Sequence, residues 1–143
     1  MYKFIFSLLL FSILIIFSSE SFAQDTEDAG VVLIETFKLK SMLGDDAEAF
    51  STMLKRTASV YKNDPRVIRS YLLRHYWGAD SRDLVFVYEF KNESDLYSFA
   101  NEYDSLFEKA FPKEQLDADY KLWDKYVGQH ADEIYNLIPD TKK

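Results

Sequence analysis

Apolar positions change their period several times along this chain, and each change marks an element. Phe4 to Phe17 is an almost unbroken apolar run, interrupted by Ser7 and Ser12. Val31 to Lys40 is rich in β-branched and aromatic residues and alternates as a strand does. Its faces are Val31/Leu33/Glu35/Phe37/Leu39 and Val32/Ile34/Thr36/Lys38/Lys40; the first is apolar apart from Glu35. Gly44, Asp45 and Asp46 then punctuate, and either aspartate can cap a helix with the stripe Ala47, Phe50, Leu54, Ala58 and Tyr61. Asn63-Asp64-Pro65 ends that helix.

A second strand is predicted from Val67 to Trp77, with the faces Val67/Arg69/Tyr71/Leu73/His75/Trp77 and Ile68/Ser70/Leu72/Arg74/Tyr76. A polar hairpin loop, 78–83, leads to a third strand from Leu84 to Phe90. Leu84/Phe86/Tyr88/Phe90 form one of its faces and Val85/Val87/Glu89 the other. A loop this short favours antiparallel pairing. Asn92 caps the next helix, with Asp95 three positions on, and Leu96, Phe99, Ala100, Tyr103, Phe107 and Ala110 make its stripe until Pro112. Beyond it Leu116, Tyr120, Trp123, Val127, His130, Ile134 and Leu137 recur at alternating spacings of four and three. That seam favours a final helix running through Gly128. The alternative ends the helix at Gly128 and makes 133–138 a short last strand.

Strand, helix, strand, strand, helix, then helix or strand is the split β-α-β order of an α+β, ferredoxin-like domain. Its sheet is antiparallel, with helices on one face. The other face is then bare, and it carries too much apolar surface for a soluble monomer. A homodimer that buries Tyr71, Leu73 and Trp77 is expected.

Composition narrows the classes. The chain has 143 residues, 48% hydrophobic and 29% charged, which fits one domain. Zero cysteines exclude disulfides, thiolate metal sites and cysteine nucleophiles. A net charge of -7 argues against nucleic acid or an anionic membrane as partner. Lys3, the apolar run and Ser21-Phe22-Ala23 together have the form of a secretory signal peptide. The run is shorter than the ~20 apolar residues of a spanning helix. The expected organisation is a signal peptide over 1–23, a flexible lead-in over 24–30, the domain over 31–138 and a tail over 139–143. The mature protein would start at Gln24, periplasmic or secreted, with no membrane attachment after cleavage.

Chemistry concentrates on the second strand. Arg69, Tyr71, His75 and Trp77 fall on one predicted face, which would bring a guanidinium, a phenol, an imidazole and an indole into one cavity. Such a set suits a small, partly aromatic ligand, with His75 a base near neutral pH. The competing reading makes Tyr71 and Trp77 packing residues and pairs Arg69 with Glu35 or Glu89. Those two glutamates interrupt otherwise apolar faces, so each needs a partner, a proton or a function. His130 reads as a packing residue. Two histidines 55 positions apart form no metal motif, and there is no glycine-rich phosphate loop or nucleophile elbow, so neither a metal nor a cofactor is expected. Asp80, Ser81, Arg82 and Asp83 make either a lid with an anion contact at Arg82 or a solvated turn.

The element order and size, the run Leu72-Leu73-Arg74-His75-Tyr76-Trp77-Gly78, and Asp80-Ser81-Arg82-Asp83 before a hydrophobic strand resemble the dimeric α/β-barrel superfamily over 31–138. The chain is more similar to exported bacterial members than to any enzyme of that group. The resemblance implies two ferredoxin-like subunits with their sheets face to face, and a ligand held between sheet and helices. Cofactor-free quinone-forming monooxygenases and haem-degrading enzymes share that fold, but none of their catalytic positions matches a residue here. The leading expectation is an exported homodimeric ligand-binding domain. A cofactor-free monooxygenase or isomerase and a non-catalytic interaction module are the alternatives.

Overall fold

The alternating segment Val31–Leu39 forms β1, one of the two inner strands of the sheet. A computed structural model describes residues 30–42, 44–139 and 141. The expected signal peptide and residues 24–29 of the lead-in lie outside the described residues. Helix α1 is Asp46–Asn63, β2 is Val67–Arg74, β3 is Asp83–Phe90, α2 is Glu93–Ala110, α3 is Lys113–Tyr126 and β4 is Val127–Asn136. The four strands make one sheet in the order β2-β3-β1-β4, and every neighbouring pair is antiparallel. Strands β1 and β2 flank β3 and therefore run parallel to each other, so α1 is a crossover between them. The same holds for β3 and β4 on either side of β1.

Register sorts the residues into two layers, because directly opposed residues share a face. Val31, Leu33, Glu35 and Phe37 oppose Phe90, Tyr88, Phe86 and Leu84. This face carries the core. Phe50, Met53 and Tyr61 of α1, Leu96, Phe99 and Phe107 of α2, and Leu116 of α3 pack down on it. Rings meet edge to face, as their quadrupoles prefer: Tyr61 and Tyr88 at 4.8 Å and 81°, Phe37 and Trp123 at 4.9 Å and 77°. The expected cap of α2 is present, with the Asp95 backbone N–H donating to Asn92 Oδ1 at 2.9 Å.

Two expectations are corrected. The last helix stops at Tyr126, and the chain turns straight into β4 along β1. His130 and Ile134 are four residues apart, an even number, so they share a face on a strand as well as on a helix. The seam therefore could not separate the two, and a ten-residue strand replaces both the favoured helix and the shorter 133–138 strand. Gly128 sits at the junction: a Cβ there would meet the Lys38 carbonyl oxygen at 3.1 Å. Its lack of a side chain lets β4 approach β1 where the register shifts between Phe37 and Leu39.

Strand β2 is also shorter than expected. It leaves the ladder after Arg74, with the His75 N–H donating to the Asp83 carbonyl at 3.0 Å. Tyr76 and Trp77 lie beyond it, 100% and 89% exposed. A register shift between Val67 and Arg69 turns Val67 toward Phe90 and the core, while Arg69, Tyr71 and Leu73 oppose Glu89, Val87 and Val85 on the other face.

Candidate functional site

Between the core face of the sheet and the helices lies a cavity of about 490 Å³. Leu33, Phe37 and Phe86 of the sheet, Met53 of α1, Phe99 and Phe107 of α2, and Trp123 of α3 give it apolar and aromatic walls. Its polar groups are few: Glu35, Arg56, Thr57, Tyr103, Asp104, Asp119 and Tyr120.

Glu35 reaches the cavity because alternation along β1 points it to the same side as Leu33 and Phe37. Burial raises its pKa above the ordinary carboxyl value. The Tyr88 hydroxyl works against that rise, Asp132 adds to it, and His130 opposes it. Asp132 and His130 reach this face from β4, where they oppose Glu35 and Phe37 in the ladder. The His130 ring stacks on Phe37 at 5.2 Å and 23°, and its Nε2 lies 3.4 Å from Asp132 Oδ2.

Behind Glu35 three phenols converge. The hydroxyls of Tyr61 and Tyr103 are hydrogen-bonded to each other. The Tyr88 hydroxyl is buried without a hydrogen-bond partner of good geometry, yet it is near enough to Glu35 and Tyr61 to act on both their ionisations. Burial pushes all three phenols well up, so they stay neutral.

The guanidinium of Arg56 on α1 is held by Asp119 on α3. Nε donates to Oδ2 at 3.1 Å and Nη2 donates to Oδ1. Gln115 Nε2 adds a bond to Oδ1 at 3.0 Å. This fork ties two helices across one wall of the cavity.

The six residues singled out from the sequence are not brought together. Glu35 lies in the cavity. Arg69, Tyr71 and Glu89 lie on the opposite face of the sheet, with Arg69 directly across from Glu89. Glu89 is 9% exposed there, and it has interaction partners. His75 packs in the hairpin, its Cε1 3.1 Å from where a Cβ on Gly78 would stand. Trp77 projects from the same hairpin. Neither lines the cavity, so the expected convergence of Arg69, His75 and Trp77 with Glu35 is replaced by a site built on β1, β3 and the helices. The hairpin itself is held by local charge pairs. Arg82 Nη2 and Lys38 Nζ both reach Asp80 Oδ2, at 2.8 and 3.1 Å. Tyr61, Tyr88, Tyr103, Arg56 and Asp119 were missed. The signal present was tyrosine instead of phenylalanine at three core-facing positions, and only the packing shows that their hydroxyls meet. Among the described residues no group of three or more histidine, aspartate or glutamate side chains forms a metal site, and no helix is long and apolar enough to cross a membrane.

No protein-family model and no curated protein matches the chain. Solved structures do. One is a dimeric protein of unknown function with a ferredoxin-like fold from Bacteroides fragilis: 14% identity, TM-score 0.52, 76% of this chain and 96% of that one. Another is a DABB-family protein with a ferredoxin-like fold from Mesorhizobium loti: 14%, 0.51, 78% and 99%. A third is a dimeric ferredoxin-like protein from an uncultured marine organism: 13%, 0.51, 84% and 97%. At such identities the likeness is one of fold, and the α+β ferredoxin-like expectation holds.

Proposed function

We propose that this ferredoxin-like chain is an exported homodimeric domain that binds a small, partly aromatic ligand between its sheet and its helices. The cavity carries the reading. Its volume of about 490 Å³ lies within the range of small-molecule sites, and a few polar groups sit among aromatic walls. Edges and faces of Phe37, Phe86, Phe99 and Trp123 suit a planar ring.

Assembly follows from the other face. Val32, Ile34, Val85, Val87, Tyr71 and Leu73 gather there, and the described helices pack on the other face. Tyr71 and Leu73 remain 54% and 50% exposed in the single chain. A second copy covers such a face at least cost, and structures similar in fold are described as dimeric. Export rests on Lys3, the apolar run from Phe4 to Phe17 and Ser21-Phe22-Ala23.

A second reading, a cofactor-free oxygenase or isomerase on the same scaffold, draws on one observation. Glu35 is a carboxyl with a raised pKa inside an apolar cavity, as a general acid requires.

Native mass spectrometry of protein purified from the periplasm tests the first reading. The expected species is a dimer with a small-molecule adduct that Ala100→Trp, at the cavity wall, removes without unfolding the chain. A bare monomer overturns it. Turnover of the released adduct, lost in Glu35→Gln while the adduct still binds, would select the enzyme.

A further inference from the structure

We propose that the cavity sorts its ligands by hydrogen-bonding polarity: with a proton on Glu35 it takes an aryl carbonyl compound, and without that proton it takes a phenol. This rests on the cavity being a ligand site, as proposed above.

Four side chains beside the cavity share a countable set of protons. Glu35 and Tyr103 both line the cavity. Behind them the Tyr103 hydroxyl is bonded to that of Tyr61. Tyr61 packs on Tyr88 with ring centroids 4.8 Å apart, and Tyr88 sits on the same face of the sheet as Glu35, diagonal to it across the β1–β3 ladder and near enough to act on both Glu35 and Tyr61. The order is therefore Glu35, Tyr88, Tyr61, Tyr103. Both ends open on the cavity and both middle members are buried. Tyr88 is the gap: it is 1% exposed, and its hydroxyl is the one buried side-chain polar atom among the described residues without a hydrogen-bond partner. A buried hydroxyl has to find one.

Each phenol has a single proton to donate, and an ionised carboxylate has none. With Glu35 ionised, every phenol proton turns toward the carboxylate: Tyr88 donates to Glu35, Tyr61 to Tyr88 and Tyr103 to Tyr61. No donor is left over. Of these linked groups the cavity is offered the Tyr103 oxygen and the second carboxylate oxygen, which only accept, so a ligand seated on them donates; the Thr57 and Tyr120 hydroxyls, which also line the cavity, can donate or accept whatever the state of Glu35. With Glu35 protonated, the same links have one proton more than they use. That proton emerges into the cavity from Glu35 or from Tyr103, and the matching ligand accepts. Because burial holds the phenols neutral, Glu35 alone changes the count.

Other charges near Glu35 do not alter the count. Asp132 and His130 face it from β4. Farther out Asp104, Asp119, Tyr120 and Arg56 line the cavity, and Arg56 is committed to Asp119. Three carboxyls against one engaged guanidinium disfavour an anionic ligand, so both ligand classes are uncharged.

The probes are 2-acetylnaphthalene, which only accepts, and 2-naphthol, which donates. Each is titrated into the purified full-length mature protein by fluorescence from about pH 5 to about pH 8, below the ionisation range of a phenol. The acetylnaphthalene Kd should rise with pH and the naphthol Kd should fall. The acetylnaphthalene slope steepens above the Glu35 pKa and the naphthol slope below it, each toward the roughly tenfold per pH unit of one coupled proton. Glu35→Gln puts an amide there that donates and accepts at every pH, so both slopes should vanish while both probes still bind. His130→Asn should keep both. Parallel slopes, or slopes that survive Glu35→Gln, overturn the polarity rule and leave the cavity a binding site. Failure of both probes to bind at any pH overturns the rule together with the site.

Discussion

Glu35 and Asp132 stand directly opposite each other in the β1–β4 ladder, two carboxyls on one face of the sheet. One is partly buried in the cavity wall, and the other is half exposed on an edge strand beside His130. Like charges opposed in this way cost about 0.2–1 kcal/mol. Asp132→Asn should therefore stabilise the protein at neutral pH by about 0.5 kcal/mol and lower the Glu35 pKa. Urea denaturation and carboxyl NMR measure the two effects. An unmoved Glu35 titration would show that the pair does not interact.

Glu35 should also set a pH dependence of stability. Its folded-state pKa is raised above 4.5, chiefly by burial. Between the unfolded and folded values the native state holds the extra proton, so stability falls as pH rises through that interval. Glu35→Gln carries no such proton. The variant should melt higher than the wild type at about pH 7, with the advantage gone below about pH 4, where the glutamate is protonated in both states. Equal melting offsets at both pH values would contradict this.

Arg56 and Asp119 should behave as a unit. Arg56→Met leaves Asp119 with Gln115 as its remaining neighbour in the fork and should cost roughly 1–3 kcal/mol in chemical denaturation. Adding Asp119→Leu should recover most of that loss, since both charges are then gone. Additive losses in the double mutant would mean that the fork contributes nothing as a pair.

Tyr71→Glu places a charge in the middle of the bare sheet face, beside Val87 and Leu73. Sedimentation should find the wild-type protein dimeric and the variant monomeric or aggregated. A wild-type monomer at micromolar concentration would remove the proposed interface.

The exported protein should begin at Gln24, after the small residues Ser21 and Ala23. N-terminal sequencing decides this, and a chain that retains Met1 would end the proposal of cleavage.

Much of the fold was legible because it is local. The alternation in 31–40 and 84–90 sorted each strand into the two faces that the structure shows, and the stripes Phe50/Tyr61 and Leu96/Phe99/Phe107 named core residues of α1 and α2. The Asn92 cap could be named in advance, since its bond spans three residues. What failed depends on partners distant in sequence. The segment after Tyr126 is a strand because β1 has an edge to fill and Gly128 lets the backbone come close, and neither fact is contained in the spacing of His130 and Ile134. Alternation said that Arg69 and Glu35 each share a face with their own strand neighbours. It could not say whether those faces coincide.

The sequence by itself determined the order of the elements through the helix that ends before Pro112, the two faces of β1 and β3, and the presence of an acidic residue among apolar ones at position 35. Each of these follows from periods of two or 3.6 residues and from the chemistry of single side chains. Tertiary structure alone decided where the site is. Strand pairing placed Arg69 and Glu89 on one side of the sheet and Glu35 on the other. The early end of β2 left His75 and Trp77 in the hairpin. Packing of α1 and α2 on β3 brought the hydroxyls of Tyr61, Tyr103 and Tyr88 behind Glu35, because burial is a property of the assembled layers and not of any one segment.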